Sequence, residues 1–257
     1  MFTAADKEYN MNYKIYPINQ GTRIMDIHDV VYRQPVGEDV SFAYGAFLLK
    51  DAKGKLIMVD SGAPSLSEVR EKGYPLRTPD EDIDMVEEVR KHGVDPAEVS
   101  MIIYTHLHWD HAWNTNSFPN ATLIAQAAEM AAAINPMKIG RKSYGFMEES
   151  NGPEWLHSIM RFQAVNGDVE ILPGIRVIMT PGHTIGSQSV LVDTEKGVYM
   201  LPGDWIMCDR NLDMELPGGS TPDVAAWYQS LEKVKKLEFA GILPCHDPKT
   251  YTEMYYG

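Results

Sequence analysis

The sequence predicts an α/β fold in which two β-sheets face each other and helices cover the outer faces. Three observations carry that expectation. Short β-favouring runs, each closed by a turn, recur in both halves of the chain. Helix-like stretches fall among them in each half, so neither half is all-β. The two kinds of element do not alternate strictly, which argues against one doubly wound parallel sheet.

The runs lie at residues 14–18, 42–49, 55–59, 101–105, 121–125, 175–180, 187–192, 198–201 and 241–244. They are dense in Val, Ile, Leu, Met and Tyr, the composition of strands buried on a pleated surface. Asp51-Ala-Lys-Gly54 and Asp193-Thr-Glu-Lys-Gly197 separate neighbouring runs and read as hairpin loops. Among the helices, 82–92 sets Ile83, Val86 and Val89 at helical spacing and stops at Gly93. The alanine-rich stretch 127–134 ends before Asn135-Pro136, because a residue preceding proline avoids the α region. The last helix is the clearest: Thr221 is read as its N-cap, Pro222 as its first position and Asp223 as a first-turn acid. Val224, Trp227, Leu231 and Val234 then share one stripe, which should pack on a sheet.

Residues 135–164 fit this pattern poorly. Apolar side chains such as Tyr144, Phe146 and Trp155 stand there among Gly, Pro and charged residues, so an irregular lobe with an apolar inner side is expected. It serves either as a satellite core or as one wall of a substrate pocket. With 257 residues the chain is expected to form one domain, 1–257, with this lobe as its irregular part.

Composition removes several classes of function. A net charge of −13 opposes a nucleic-acid partner, which needs a basic patch to displace counterions. No run of about 18 apolar residues occurs, so no membrane span is expected. Residues 1–11, MFTAADKEYNM, lack the basic start and apolar core of a secretory signal, and Cys208 and Cys245 make no disulfide framework. A cytoplasmic protein is the expectation.

The chemistry concentrates in T-H-L-H-W-D-H, Thr105 to His111. Crowded imidazoles repel once protonated, and every buried ring nitrogen needs a partner, so something must hold them together. His106 and His108 can point one way while Asp110 and His111 turn to a second centre. Zinc usually takes four N or O ligands, so this loop alone cannot saturate two metals. His183 in T-P-G-H-T, Asp204 in L-P-G-D-W and His246 in L-P-C-H-D each follow a predicted strand and complete the candidates.

The order H-x-H-x-D-H, a distant His, then Asp, then His resembles the metallo-β-lactamase superfamily, with an early match at Val59-Asp-Ser-Gly62. The resemblance implies an αββα sandwich with a two-metal site between the sheets. By matching position it assigns His106, His108 and His183 to one metal and Asp110, His111 and His246 to the other. Asp204 would bridge the two, and Asp60 would hold the histidine loop from behind. Two Zn2+ are implied, with iron, manganese or cobalt accepted by the same ligands. Such a pair shares one water, lowers its pKa toward about 7 and presents hydroxide to a carbonyl, while Asp110 is the candidate proton carrier.

Thr180 to Val192 and the ending P-C-H-D are most similar to the N-acyl homoserine lactone lactonases and pyridoxolactonases. A lactonase is therefore expected, with a quorum-quenching role implied; a glyoxalase-II-like thioesterase or a phosphodiesterase is the alternative. The partner is a small lactone or ester, and the apolar Met1–Met11 flank and the 135–164 lobe suggest a homodimer. Two departures bear on the substrate. The tyrosine those lactonases carry three places after the bridging aspartate is Met207 here, and the small glycines after their histidine loop are Ala112 and Trp113. Trp113, Trp205, Met207 and Phe146 are accordingly the candidate pocket residues. Cys245 is expected to face away from His246, and His28, His92 and His157 match no metal position.

Overall fold

The computed structural model describes residues 12–65, 67–68, 83–146 and 152–257. Its first sheet runs β1 (Tyr13–Asp26), β2 (Asp39–Asp51), β3 (Leu56–Val59), β4 (Met101–Ile103), β5 (Thr122–Gln126) and β6 (Phe162–Val165), in that spatial order. The second runs β11 (Gly241–Ile242), β10 (Gly197–Leu201), β9 (Gln188–Thr194), β8 (Ile175–Met179) and β7 (Val169–Leu172). Both are mixed. Strands β3 to β6 are parallel and β1 to β3 antiparallel; in the second sheet only the β10–β11 pair is parallel.

Side-chain alternation sorts the strands into three apolar layers. Along β2, Phe47 and Leu49 point between the sheets, where they meet Val59, Ile103, Ile175, Val190 and Leu201. Leu48 points outward and packs with Met58, Ile102 and two residues of the helix Met85–Lys91, Met85 and Val89. The second sheet is covered outside by the helix Val224–Val234, whose Trp227, Leu231 and Val234 bury against Ile178, Leu191 and Met200. Each such side chain contributes about 1.5–3 kcal/mol. The layer order is helix, sheet, sheet, helix, as the sequence predicts.

Four expectations are corrected. The first strand does not stop at residue 18 but runs on to Asp26 through a register shift between Asn19 and Thr22. Asn19-Gln-Gly reads as a turn in sequence and is a bulge in the sheet. Strands β6 and β7 were not anticipated, and β6 begins inside the 135–164 lobe. Both sit at sheet edges and are only partly buried, so their apolar signal is weak. The last helix is capped by Asp223, not Thr221: its carboxylate accepts from the Ala226 N–H at 2.9 Å and the helix starts at Val224. The helix expected over 82–92 begins later, where Asp84 caps the amide of Glu87.

Candidate metal centre

Five strands deliver the candidate residues to one rim of the sandwich. Asp60 follows β3, the loop from Tyr104 to His111 follows β4, His183 follows β8, Asp204 follows β10 and His246 follows β11. Strands β3 and β4 run together, β10 and β11 run together, and β8 shares the direction of β10 because both are antiparallel to β9. Their carboxyl ends therefore open at the same place within each sheet, where binding crevices form in layered α/β folds. His108 is the N-cap of a one-turn helix, Trp109–Ala112, which carries Asp110 and His111 to a second group while the His111 ring stays 4.1 Å from that of His106.

Two groups result. His106, His108 and His183 offer nitrogens that all lie within 4.8 Å of one another, with His183 Nε2 at 2.9 Å from His108 Nδ1. His111 and His246 each place Nε2 at 2.9 Å from Asp204 Oδ1 and 3.7 Å from Asp110 Oδ2. The other oxygen of Asp204 faces the first group, 3.4 Å from His183 Nε2 and 3.9 Å from His106 Nε2. Donor atoms on one ion at about 2.0–2.2 Å must sit roughly 3–4 Å apart, so these separations suit two adjacent cations sharing Asp204.

The donors carry the mark of a metal site in their hydrogen bonding. Nε2 of His106, His111 and His246 are buried with no hydrogen-bond partner among the described residues. A buried polar atom left so costs about 1–3 kcal/mol, and three in one place need a common partner. Nitrogen and carboxylate donors of this kind fit zinc, and iron, manganese or cobalt as well.

A second layer fixes the rings. His111 Nδ1 meets Asp60 Oδ2 at 2.8 Å, and His246 Nδ1 meets the Ala43 carbonyl at 2.7 Å while Phe42 stacks on its ring at 3.9 Å between centroids. Each bond commits Nδ1 and leaves Nε2 to the cluster. Asp60 also accepts from the Thr105 amide at 2.7 Å and the Thr105 hydroxyl at 2.8 Å. It holds a left-handed φ of 62°, a strained conformation for a side chain other than glycine that tends to concentrate at functional sites. Beside it Gly203 has φ 58°, and a Cβ there would lie 2.6 Å from the Thr105 side chain, so glycine is needed before Asp204.

Electrostatics divide the imidazoles. Burial holds His106 and His108 well below the usual histidine range and His183 at about 4. Burial also opposes protonation of His111, but Asp204, Asp110 and Asp60 outweigh it and raise that ring well above its ordinary value. Burial raises Asp110, whereas His246, His111 and His183 overcome burial at Asp204 and hold it well below the carboxylate range.

The pocket expectations fare less well than the cluster. Trp205 is fully buried in the layer beneath the second sheet, its indole N–H turned to the Trp227 carbonyl at 3.4 Å, so it lines no cleft. Phe146 packs on the outer core of the first sheet, 5.0 Å from the Arg141 guanidinium. Trp113 commits its indole N–H to Glu68 at 3.3 Å and offers no donor to the site. Met207 does adjoin the cluster, its carbonyl accepting from His246 N at 3.2 Å. Cys245 does not face away: its thiol lies 3.5 Å from Asp204 Oδ1, because the loop after β11 has left extended geometry. His28 pairs with Asp26 and Asp29, His92 packs edge-on against Tyr16, and His157 is exposed.

Three residues support the site, of which Glu129 and Tyr44 were not anticipated. Glu129 is buried and accepts from Leu107 N, Tyr144 Oη, Thr184 Oγ1 and Gly186 N, tying the loops of His108 and His183 together. Tyr144, from the lobe, rests edge-on against His108 with centroids 4.6 Å apart. Tyr44 lies edge-on to His246 at 5.6 Å. The signal for Glu129 was its isolation, a lone acid in A-A-E-M-A-A-A-I; Tyr144 lay in the lobe expected to wall a pocket, and Tyr44 carried no signal.

Comparison with known proteins agrees with this geometry. An N-acyl homoserine lactonase of a Bacillus species is 30% identical over 234 residues, covering 87% of this chain and 88% of that protein. The N-acyl homoserine lactonase AttM of Azorhizobium caulinodans is 28% identical, over 93% and 94% of the two chains. The crystal structure of a quorum-quenching N-acyl homoserine lactone lactonase superposes with a TM-score of 0.75 at 26% identity, covering 95% of each chain. A Bacillus thuringiensis AiiA variant with N-decanoyl-L-homoserine at its active site gives 0.75 at 25% identity, over 93% of this chain and 95% of that one. The family model for the metallo-beta-lactamase superfamily matches residues 46–246, and with that match, the two mixed sheets and the rim of histidines, the chain belongs to the metallo-beta-lactamase superfamily.

Proposed function

We propose that this protein is a metal-dependent hydrolase that opens lactone rings, with N-acyl homoserine lactones as the leading substrate class and quorum quenching as the consequence. The observation that carries the reading is Asp204, one carboxylate presenting Oδ1 to His111 and His246 and Oδ2 to His183 and His106. His106, His108 and His183 would hold one cation; Asp110, His111 and His246 the other; Asp204 would bridge them, with Asp60 behind. The relatives named above support the substrate class.

Two zinc ions held by these residues would supply a nucleophile at neutral pH and polarise the ester carbonyl. The protein's own part is to hold the donors fixed, to bury them from bulk water and to place a proton carrier. Asp110 is that carrier: its carboxylate, facing both His111 and His246, takes the proton that the attacking water gives up and passes it to the departing alkoxide. Residues 1–257 are read as one unit, because ligands come from both sheets. Among the described residues no helix is long and apolar enough to cross a membrane, and a cytoplasmic location is part of the proposal. So is a homodimer; its suggested Met1–Met11 flank lies outside the described residues, whereas the lobe exposes Met137, Ile139 and Met160.

The test is turnover of a panel of lactones, thioesters and bis-p-nitrophenyl phosphate, with metal analysis of the same protein. Two equivalents of metal, preference for lactones, and loss of all turnover in Asp204→Ala and His183→Ala are expected. Full activity in either variant refutes the site, and preference for thioesters or the phosphodiester transfers the assignment to those branches.

A further inference from the structure

Tyr44 stands in the wall of this site with a hydroxyl that no described residue bonds. Its side chain is almost entirely buried, at 4% exposure. The ring is fixed on three sides: Phe42 at 5.4 Å, His246 at 5.6 Å and Trp109 at 5.9 Å between centroids, with the Arg23 guanidinium 5.7 Å over its face. Four other tyrosines commit their phenols. Tyr104 bonds Thr115, Tyr144 bonds Glu129, Tyr251 donates to the Cys245 carbonyl and Tyr256 to the Thr250 carbonyl. Tyr44 makes no such bond among the described residues, although a buried tyrosine ordinarily finds a partner. Its ring meets the candidate ligand His246 edge-on, and after burial the carboxylates of Asp110 and then Asp204 push the phenol up.

Two other donors near the candidate ligands are already committed. Trp113 gives its N–H to Glu68 and Tyr144 its O–H to Glu129. Met207, in the same apolar cluster as Tyr44, has a thioether and cannot donate. A rigid ring with one free O–H, held beside the candidate ligands Asp110 and His246, is built to receive an acceptor oxygen from outside the protein. We infer that Tyr44 is a substrate-contacting residue whose phenol donates a hydrogen bond to the carbonyl oxygen of the bound ester and, after ring opening, to the product carboxylate. The inference rests on the hydrolase reading above. No proton is transferred in this role; the O–H stays on Tyr44 while charge builds on the acceptor, so the bond strengthens toward the transition state.

Tyr44→Phe tests it, because the ring and its packing remain and only the hydroxyl leaves. In the metal-loaded variant, kcat for a lactone falls about 10²-fold, the loss typical of one such donor, with metal content and melting midpoint unchanged. The product N-hexanoyl-L-homoserine, titrated against the fluorescence of the neighbouring Trp109, binds about tenfold more weakly to the variant. Undiminished kcat together with undiminished product binding overturns the inference, and so does a loss accounted for wholly by lost metal. A wild type that turns over no lactone defeats the hydrolase reading instead. Product titration then still judges Tyr44: equal binding by wild type and variant counts against it.

Discussion

Replacing Glu129 by Gln preserves the side chain's shape but turns one of its two acceptor oxygens into a donor. Oε1 accepts from Leu107 N at 3.0 Å and Tyr144 Oη at 3.1 Å; Oε2 accepts from Thr184 Oγ1 at 2.6 Å and Gly186 N at 3.2 Å. Hydroxyls can rotate to accept from the new amide, but a backbone N–H cannot. Whichever way the amide turns, either Leu107 or Gly186 is left with a buried, unmatched N–H, at a cost of about 1–3 kcal/mol. The remaining bonds also lose their charge assistance, adding roughly 1 kcal/mol. The two segments are closely packed, since a Cβ at Gly186 would lie 2.2 Å from Glu129 N. A total of about 2–4 kcal/mol lowers the melting midpoint of a chain this long by roughly 5–15 °C. The loops of His108 and His183 loosen together, so affinity at that metal position falls too. Thermal unfolding followed by circular dichroism, paired with chelator competition, measures both. A midpoint within about 2 °C of wild type and unchanged metal retention refute the reasoning.

Asp60→Asn removes the carboxylate that orients His111 and should weaken metal binding at the His111–His246 position by about 10–100-fold, read by competition with a chromophoric chelator; equal retention contradicts the role given to Asp60. In the metal-free protein, His106, His108 and His183 titrate below their unfolded value of about 6.5. The unfolded chain therefore binds more protons between those values, and stability falls as pH falls through that window, by up to about 1.4 kcal/mol per pH unit for each ring. His111, raised, is protonated in both states there and adds no slope, while Asp110 and Glu129, also raised, return part of the loss. The metal-free melting midpoint should thus be lower at pH 5 than at pH 7, and an equal or higher value at pH 5 overturns this assignment of charge.

The sequence by itself determined the layer order and brought the seven candidate ligands to notice, because both are written locally. Apolar runs mark buried strands, Gly and Pro mark the turns that follow, and His106 to His111 sit within six residues of chain. What only the tertiary structure decided depends on contacts between distant segments. Whether Trp205 faces a cleft or a helix is settled by where Trp227 lies, and whether Cys245 turns toward Asp204 by how the loop after β11 bends. Glu129 acts through partners 15 to 57 residues away, which no spacing rule can pair. Tyr44 was silent for the same reason: in β2 it is one more apolar residue of a buried strand, until the fold sets its ring against His246 and leaves its hydroxyl without a partner among the described residues.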